Sequence, residues 1–528
     1  MPCRARNLVV GSGPAGVAAA KALIERGARV TLVDVGQSLE PERRSWVDSL
    51  ARRSHDTWTS EDVSRLRAPF QRDASGVLSK LVFGSDYPYR DAKEANRIEI
   101  PAGTLKPSIA QGGLSTVWGA SVLPYNLRDL ERWPISTSDL DPHYRAILRW
   151  MPLMAQPDDL ETLYPIHTDS PNPVRLSRPA ARLLEEMNTR RGALARSGIR
   201  FGHSRVALRS GSCTECGFCL HGCPLGLIYS AADTLADLKR SPDFEHIPGV
   251  VIDRLEESES GVKAIGRELG SQQPWTTQAD RIFLAAGVLP TARIALESAG
   301  LFNKPIRLLD SQYTVMPMVS LRSHPGIETD PLHTLCQIYL EIDDPRISRH
   351  NIHTQLYTYN SLFEEEFRTK ALGILPLVPG SRRHLLSRLM VGFSYLHSDD
   401  SGGLRLTLQP GKGDSGGRLG VDVLENPATP AIQRRIAWKL LGHSRQLGFA
   451  PVVPLLETTA PGRGFHNGGS FPMGTKSEGV QSDTLGRPFG WKRIHLVDSS
   501  VFPTIPAATI TFTAMANAHR IASAASTL

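Results

Sequence analysis

Four cysteines stand within eleven positions, as Cys213-x2-Cys216-x2-Cys219-x3-Cys223, with Pro224 directly after. Thiolates at this compact spacing can reach round an iron–sulfur cubane. A structural zinc site more often pairs two Cys-x2-Cys knuckles across a longer loop, so zinc fits the run less well. A structural or redox-active cysteine loop is the third reading. There is no second cysteine run, so Cys223 must close the same cluster or stand free. Cys3 and Cys336 have no partner by spacing and read as ordinary thiols.

A second chemical pattern opens the chain. Gly11-Ser12-Gly13-Pro14-Ala15-Gly16 follows a short apolar strand at Asn7–Val10 and leads into an Ala-rich helix pattern at Val17–Arg26. A second strand at Arg29–Val33 ends at Asp34, 23 residues after Gly11. Gly11 permits the tight turn, Gly13 lets the backbone approach a pyrophosphate, and Gly16 lets helix and strand pack closely. The helix N-terminus offers free N–H groups and positive dipole to the phosphates. Asp34 is placed to accept from a ribose 2′-hydroxyl, which favours NAD or FAD over NADP.

These groups need a scaffold, and length and composition bound it. At roughly 100–200 residues per domain, 528 residues make two to four domains or one large two-domain enzyme. A hydrophobic share of 41% and a charged share of 21%, with no Gly- or Pro-rich tract, exclude disordered, collagenous and coiled-coil chains. The formal net charge of +7 is mild for this length, and the basic residues fall in scattered pairs such as Arg43-Arg44 and Arg434-Arg435. Nucleic acid is therefore not an expected partner. Weakly polar stretches such as Ile505–Ala518 fall short of the ~20 residues a membrane helix needs. Met1–Arg6 leads into a strand rather than a signal-peptide core, so a cytoplasmic protein is expected. Strand-like runs at Leu308–Arg322, Thr334–Ile342, Met390–His397 and Leu404–Gln409 are punctuated by loops at Asp400–Gly403 and Gly411–Gly417.

Several further segments carry a resemblance. Gly112-Gly113-Leu114-Ser115-Thr116-Val117-Trp118-Gly119 precedes Trp133-Pro134-Ile135-Ser136 and Asp139–Tyr144. Arg281–Gly287 is a strand ending in a small-residue turn. His466-Asn467-Gly468-Gly469, Met473-Gly474 and Val497–Pro503 stand before a last helix. In this order they resemble the glucose–methanol–choline (GMC) family of FAD-dependent oxidoreductases, nearest its pyranose-oxidase and iron–sulfur sugar-dehydrogenase branches. The stretch from 305 to 460 is recognisable by position alone.

The resemblance implies an α/β FAD-binding Rossmann-like domain and an α+β substrate domain with a mainly antiparallel sheet. Residues 1–304, with a cysteine insert at about 205–230, and 461–528 would mainly form the first, and 305–460 mainly the second. FAD contacts are expected from Gly11, Gly13, Pro14, Ala15, Gly16, Asp34, Gly112, Gly113, Ser115, Val117, Ala286, Gly287, Asp498 and Ile510. Pyranose oxidases attach FAD through a histidine where this chain has Val117, so non-covalent FAD is expected. The family's base is the His of His-x-Gly-Gly, here His466. Its usual second residue, His or Asn, falls on Thr509. Thr509 substitutes for it, or Asn467 does, or His466 works alone; Thr509 is the favoured choice. The last helix would point its N-terminus at the flavin pyrimidine, while Asn517 and His519 pack against the FAD domain.

The expected activity is oxidation of an alcohol, on a sugar or polyol, to a carbonyl. Electrons would leave through a cluster on Cys213, Cys216, Cys219 and Cys223, [4Fe-4S] in preference to [3Fe-4S], to a cytochrome, ferredoxin or quinone-linked subunit. Export with a signal-bearing partner is the alternative to a cytoplasmic location. Two other readings stay open: an O2-using alcohol, sterol or sugar oxidase with a structural cysteine loop, and a flavin and iron–sulfur electron-transfer subunit. Ala371–Val378 beside Arg382, Arg383 and Arg388 would suit contact with a lipid surface, although a loop packed on the substrate sheet is the plainer expectation.

Overall fold

A computed structural model describes the chain except residues 1–4, 68–79, 174, 328–329, 361–362, 364–380, 412–415, 476–478 and 526–528. The apolar stretch at 371–378 lies outside the described residues.

The apolar run Asn7–Val10 is buried on both faces, as a central parallel strand must be. Strand Ala5–Val10 pairs in parallel with Val30–Val33 on one side and with Pro274–Leu284 on the other. Phe244–Ile247 extends the sheet beyond Val30–Val33, and Ile494–Leu496 lies parallel to the inner end of Pro274–Leu284. An antiparallel pair, Gly261–Glu268 and Val250–Ser258, completes this seven-stranded sheet. Helix Pro14–Glu25 covers one face; its alanines let the C-terminal helix, Thr511–Ala525, pack closely against it.

A second seven-stranded sheet is antiparallel throughout. Its order runs Phe449–Pro451, Tyr313–Ser320, Leu389–Tyr395, Ile352–Tyr357, Ile338–Ile342, Ile199–His203, with Glu457–Thr458 also on Tyr313–Ser320. One face packs on helices Arg178–Asn188 and Thr429–Gly442 through Leu183, Leu184, Ile432 and Ile436. The strand-like runs from the 305–460 stretch fall in this sheet and in a smaller five-stranded one. Strand Ile199–His203 joins it from outside that stretch, by register pairing alone. The smaller sheet contains Asn467–Gly468, Ile306–Asp310, Gly403–Gln409, Arg418–Leu424 and Ile98–Glu99 in that order, so it holds Asn467 against Asp310. The overall fold class is therefore the expected one: a Rossmann-like α/β unit with a second unit built on an antiparallel sheet.

Candidate active site

The first strand ends where the sheet's connections diverge, the usual place for a cofactor crevice. Gly11 has φ +101°, and a Cβ there would lie 2.4 Å from the Ala285 carbonyl oxygen. At Gly16 a Cβ would come within 1.9 Å of the Gly11 oxygen, so the helix can sit on the turn only without one. Gly13 differs: a Cβ there would meet nothing within 4 Å. It faces a cleft of about 1310 Å³, partly open to solvent, lined also by Gly11, Pro14, Ala15, Asp34, Gly113, Ala286, Gly287, Asp498 and Ile510.

Asp34 is buried, with Oδ1 2.9 Å from His246 Nε2 and Oδ2 lacking any hydrogen-bond partner among the described residues. An unpaired buried carboxylate oxygen is costly, and a ribose hydroxyl would satisfy it. The second glycine turn meets the first: Gly112 N–H donates to Ser12 Oγ at 3.0 Å, and a Cβ on Gly113 would approach Gly13 Cα to 3.2 Å. Ile510, Thr511 and Ala514 bring the start of the last helix to the cleft. These features fit a dinucleotide such as FAD.

Four other expected contacts do not line the cleft. Gly16 and Gly112 shape its turns. Ser115 Oγ donates to the Gly112 carbonyl and accepts from Ala231 N–H, tying the loop to the start of helix Ala231–Leu238. Val117 is buried in an apolar cluster with Trp58, Phe83 and Phe218. Residues that sequence reasoning missed also line the cleft, notably Lys106–Ile109, Asn96 and Phe465. Phe465 has φ +56° although it is not glycine, a strained conformation just before His466.

His466 stacks on Tyr395, with ring centroids 4.9 Å apart and planes at 25°. The ring as a whole is part-buried, but Nδ1 is sealed and has no hydrogen-bond partner among the described residues. Burial holds its pKa down to about 4, with His353 adding to the effect. The imidazole is therefore neutral at pH 7, as a base must be. Asn467 lines the cleft; its Nδ2 donates to Asp310 Oδ1 at 2.7 Å, leaving Oδ1 buried and unpaired. Asp310, which nothing in the sequence marked, also accepts Gly462 N–H at 2.7 Å, and burial pushes its carboxyl up to about 7.

Thr509 is buried away from the lining residues, and its hydroxyl oxygen accepts Leu123 N–H at 3.0 Å. Asn467, not Thr509, is the polar neighbour of His466 that reaches the cleft. Asp498 lines it too, but its Oδ2 is engaged by Gly287 N–H and Thr291 Oγ1. His519 packs toward the first helix, near Glu25 and His143, and Asn517 is fully buried beside Arg520.

The cysteine run forms a loop against the same region. Phe218 and Cys216 pack in the cluster that holds Val117. Burial raises the Cys213, Cys216 and Cys219 thiols, and a negative charge on Cys223 adds to each. Lys80 donates to the Trp118 carbonyl at 3.0 Å; burial lowers it to about 8 while Cys219 pulls it back up.

Sulfurs on one tetrahedral ion with 2.3 Å bonds would stand roughly 3.8 Å apart. Among the described residues, only His350, His397 and Asp399 bring three ligand atoms within 4.8 Å. No three of the thiols are therefore spaced for a mononuclear ion. The His350 and His397 rings stack in parallel at 3.6 Å, so their lone pairs do not converge on a common ion. Arg132 and Arg349 already hold the Asp399 carboxylate. That trio reads as an ion-pair network.

Residues 454–518, which contain His466 and the start of the last helix, match the GMC oxidoreductase family. The whole chain superposes on pyridoxine 4-oxidase from Mesorbium loti with a TM-score of 0.61, at 16% identity and with 98% of each chain covered. Formate oxidase superposes equally well, at 0.61 and 14% identity over 99% of this chain and 98% of that one. The chain has the GMC oxidoreductase fold. A curated relative, 6'''-hydroxyparomomycin C oxidase of Streptomyces lividus, is 28% identical over 306 residues, 56% of this chain. The match spans about half of that relative, 48% of its length. Among the described residues, no helix is long and apolar enough to cross a membrane.

Proposed function

We propose that this protein oxidises a CH–OH group, on a sugar or polyol, to a carbonyl, with FAD held non-covalently in the cleft. The observation that carries the reading is His466: a neutral imidazole with a sealed, unpartnered Nδ1, set in the chain between Phe465 and Asn467, which both line a cleft shaped for a dinucleotide. Gly11, Gly13 and the helix start at Pro14 would hold the pyrophosphate, Asp34 the ribose, and Asn467 Oδ1 would accept from a ring N–H. FAD supplies a two-electron hydride acceptor. His466 takes the hydroxyl proton, and Asn467, fixed by Asp310, sets the polar edge beside it. In this reading 1–304 and 461–528 mainly form the FAD domain, and 305–460 mainly the substrate domain, whose sheet borrows Ile199–His203. The polyhydroxylated substrate is supported by the curated relative, an oxidase of 6'''-hydroxyparomomycin C.

The cysteine loop decides where electrons go. Our leading reading is a dehydrogenase whose four thiolates hold an iron–sulfur cluster and serve a protein or quinone acceptor. Thiolates of a cubane bind different irons, so the absence of a mononuclear spacing does not count against it. Its support is the spacing of the run itself, Cys213-x2-Cys216-x2-Cys219-x3-Cys223 followed by Pro224. The second reading, an O2-using oxidase with a structural cysteine loop, is supported by the three similar proteins named above, each an oxidase. A pure electron-transfer subunit has no use for His466.

The test is iron, acid-labile sulfide and zinc measured against FAD in anaerobically purified protein, with peroxide assayed during alcohol turnover. About four irons and four sulfides per FAD with little peroxide supports the dehydrogenase; FAD without iron and stoichiometric peroxide supports the oxidase. Failure of any alcohol to bleach the flavin would refute both.

A further inference from the structure

In the first sheet, strand Phe244–Ile247 lies parallel to Val30–Val33 and sets His246 against Leu32. Side chains two residues apart on a strand keep to one side, so Asp34, two residues beyond Leu32, meets His246 and not Glu245. Glu245 accepts instead from Thr31 Oγ1, at 3.2 Å. The backbone pins Asp34 to the same segment. Its N–H donates to the Ile247 carbonyl at 3.2 Å, and its carbonyl accepts Val250 N–H at 3.0 Å.

The side chains of His246 and Asp34 are 5% and 6% exposed. A carboxylate this deeply buried needs partners for both oxygens, and the protein supplies them for one. Oδ1 accepts His246 Nε2–H at 2.9 Å. Gly36 packs against that same oxygen: its φ is +64°, and a Cβ there would lie 2.8 Å from Oδ1 and 3.3 Å from Pro248 Cβ. Oδ2 is buried and unpaired among the described residues, while Asp34 lines the dinucleotide cleft. A pair that served packing alone would satisfy both oxygens internally. His246 itself does not line the cleft.

We infer that His246 is a positioning residue for the cofactor: by holding Asp34 Oδ1 it sets the strength with which the cleft prefers an adenosine ribose that carries a 2′-hydroxyl. The inference rests on the FAD reading proposed above and not on the alcohol. With Oδ1 engaged, the carboxylate cannot turn about its Cβ–Cγ bond, and Oδ2 is left in one direction with one acceptor duty. A 2′-hydroxyl donates to it. A 2′-deoxyribose leaves it unpaired in a cleft that the ligand has closed to water. Without the imidazole the carboxylate turns freely, water reaches Oδ1, and the difference between the two riboses shrinks.

The test titrates the full-length, flavin-free protein with ADP and with 2′-deoxy-ADP by isothermal calorimetry. The readout is the ratio of the two dissociation constants, and no turnover is involved. A hydrogen bond to a charged group makes wild type prefer ADP by about 10- to 100-fold. His246→Phe keeps a ring and drops the N–H, and should bring that preference below about threefold. His246→Gln, whose amide can donate in place of the imidazole, should keep most of it. Loss of a merely structural histidine would weaken both ligands alike and leave the ratio unchanged. In the holoenzyme, FAD release on dilution, followed by flavin fluorescence, should speed up in His246→Phe and stay near wild type in His246→Gln. Melting temperature checks folding, and His246→Ala replaces His246→Phe if the larger ring is not accommodated. A wild-type ratio in folded His246→Phe or His246→Ala overturns the assignment, as does a lost preference in folded His246→Gln or a wild type that binds both nucleotides equally. A wild type that binds neither ADP nor FAD overturns the FAD reading with it.

Discussion

The Asp310 carboxylate receives the Asn467 amide at 2.7 Å, joining two residues 157 positions apart and both sealed from solvent. Asp310 also takes the Gly462 N–H, and the next residue, Ser311, donates its N–H to the His466 carbonyl at 3.0 Å, so this strand end holds the His466 loop. Replacing Asp310 with Ala leaves the Gly462 N–H and the Asn467 amide buried and unpaired, at about 1–3 kcal/mol each. The Asp310→Ala variant should unfold at clearly lower denaturant and reduce flavin at least tenfold more slowly. Denaturant titration and stopped-flow reduction check both; unchanged values would make the contact incidental.

His466 should show its role in the pH profile. Since burial lowers its pKa to about 4, it remains a neutral base through the mildly acid range. The rate of flavin reduction should hold as pH falls from 7 to 5 and drop as His466 becomes protonated near 4. His466→Ala should lose roughly 10²–10⁴ in rate while keeping FAD, measured by absorbance after gel filtration.

The two glycines of the opening turn should separate folding from binding. A methyl at Gly16 collides with the Gly11 carbonyl, so Gly16→Ala should express poorly or melt early. A methyl at Gly13 collides with nothing in the protein. Gly13→Ala should therefore fold with a normal FAD-free melting temperature and bind FAD weakly, as isothermal titration would show.

Acid should destabilise the fold through its buried histidines. Burial lowers His333, His466 and His495 to about 4, against about 6.5 when unfolded. Between those values the unfolded chain binds more protons, so stability falls as pH drops from 6.5 toward 4 and is fully present above 6.5. The slope approaches about 1.4 kcal/mol per pH unit for each such histidine. Melting temperature followed from pH 7 to 4 checks the sign.

The parts of the site that could be read directly are those whose chemistry is local. The strand, glycine turn and Asp34 lie within thirty residues, and each glycine's duty follows from its position in one turn. His466 was singled out by its motif alone. Asp310 was not, because an aspartate at a strand end announces nothing until pairing with Asn467–Gly468 puts an amide against it. The His246–Asp34 contact escaped for a similar reason: the two stand 212 positions apart, and parallel pairing of their strands brings them together. Ile199–His203 could not have been assigned to its sheet, since periodicity says that a strand exists and nothing about its neighbours. Thr509 is a different case: its position in a motif suggested a hydroxyl that donates to substrate, and in the fold its oxygen accepts Leu123 N–H outside the lining of the cleft.

The strand at Ile494–Leu496 and the helix at Thr511–Ala525 complete a sheet and a helix layer begun at residue 5. During synthesis, the first glycine turn emerges from the ribosome hundreds of residues before the elements that close its pocket. The nascent chain must therefore keep its opening strand–turn–helix unfinished until the final helix arrives, and cofactor capture becomes a post-translational event. Clipping the last fifteen or so described residues would orphan the first helix and the pocket together, so proteolytic trimming at that end would act as an all-or-none inactivation.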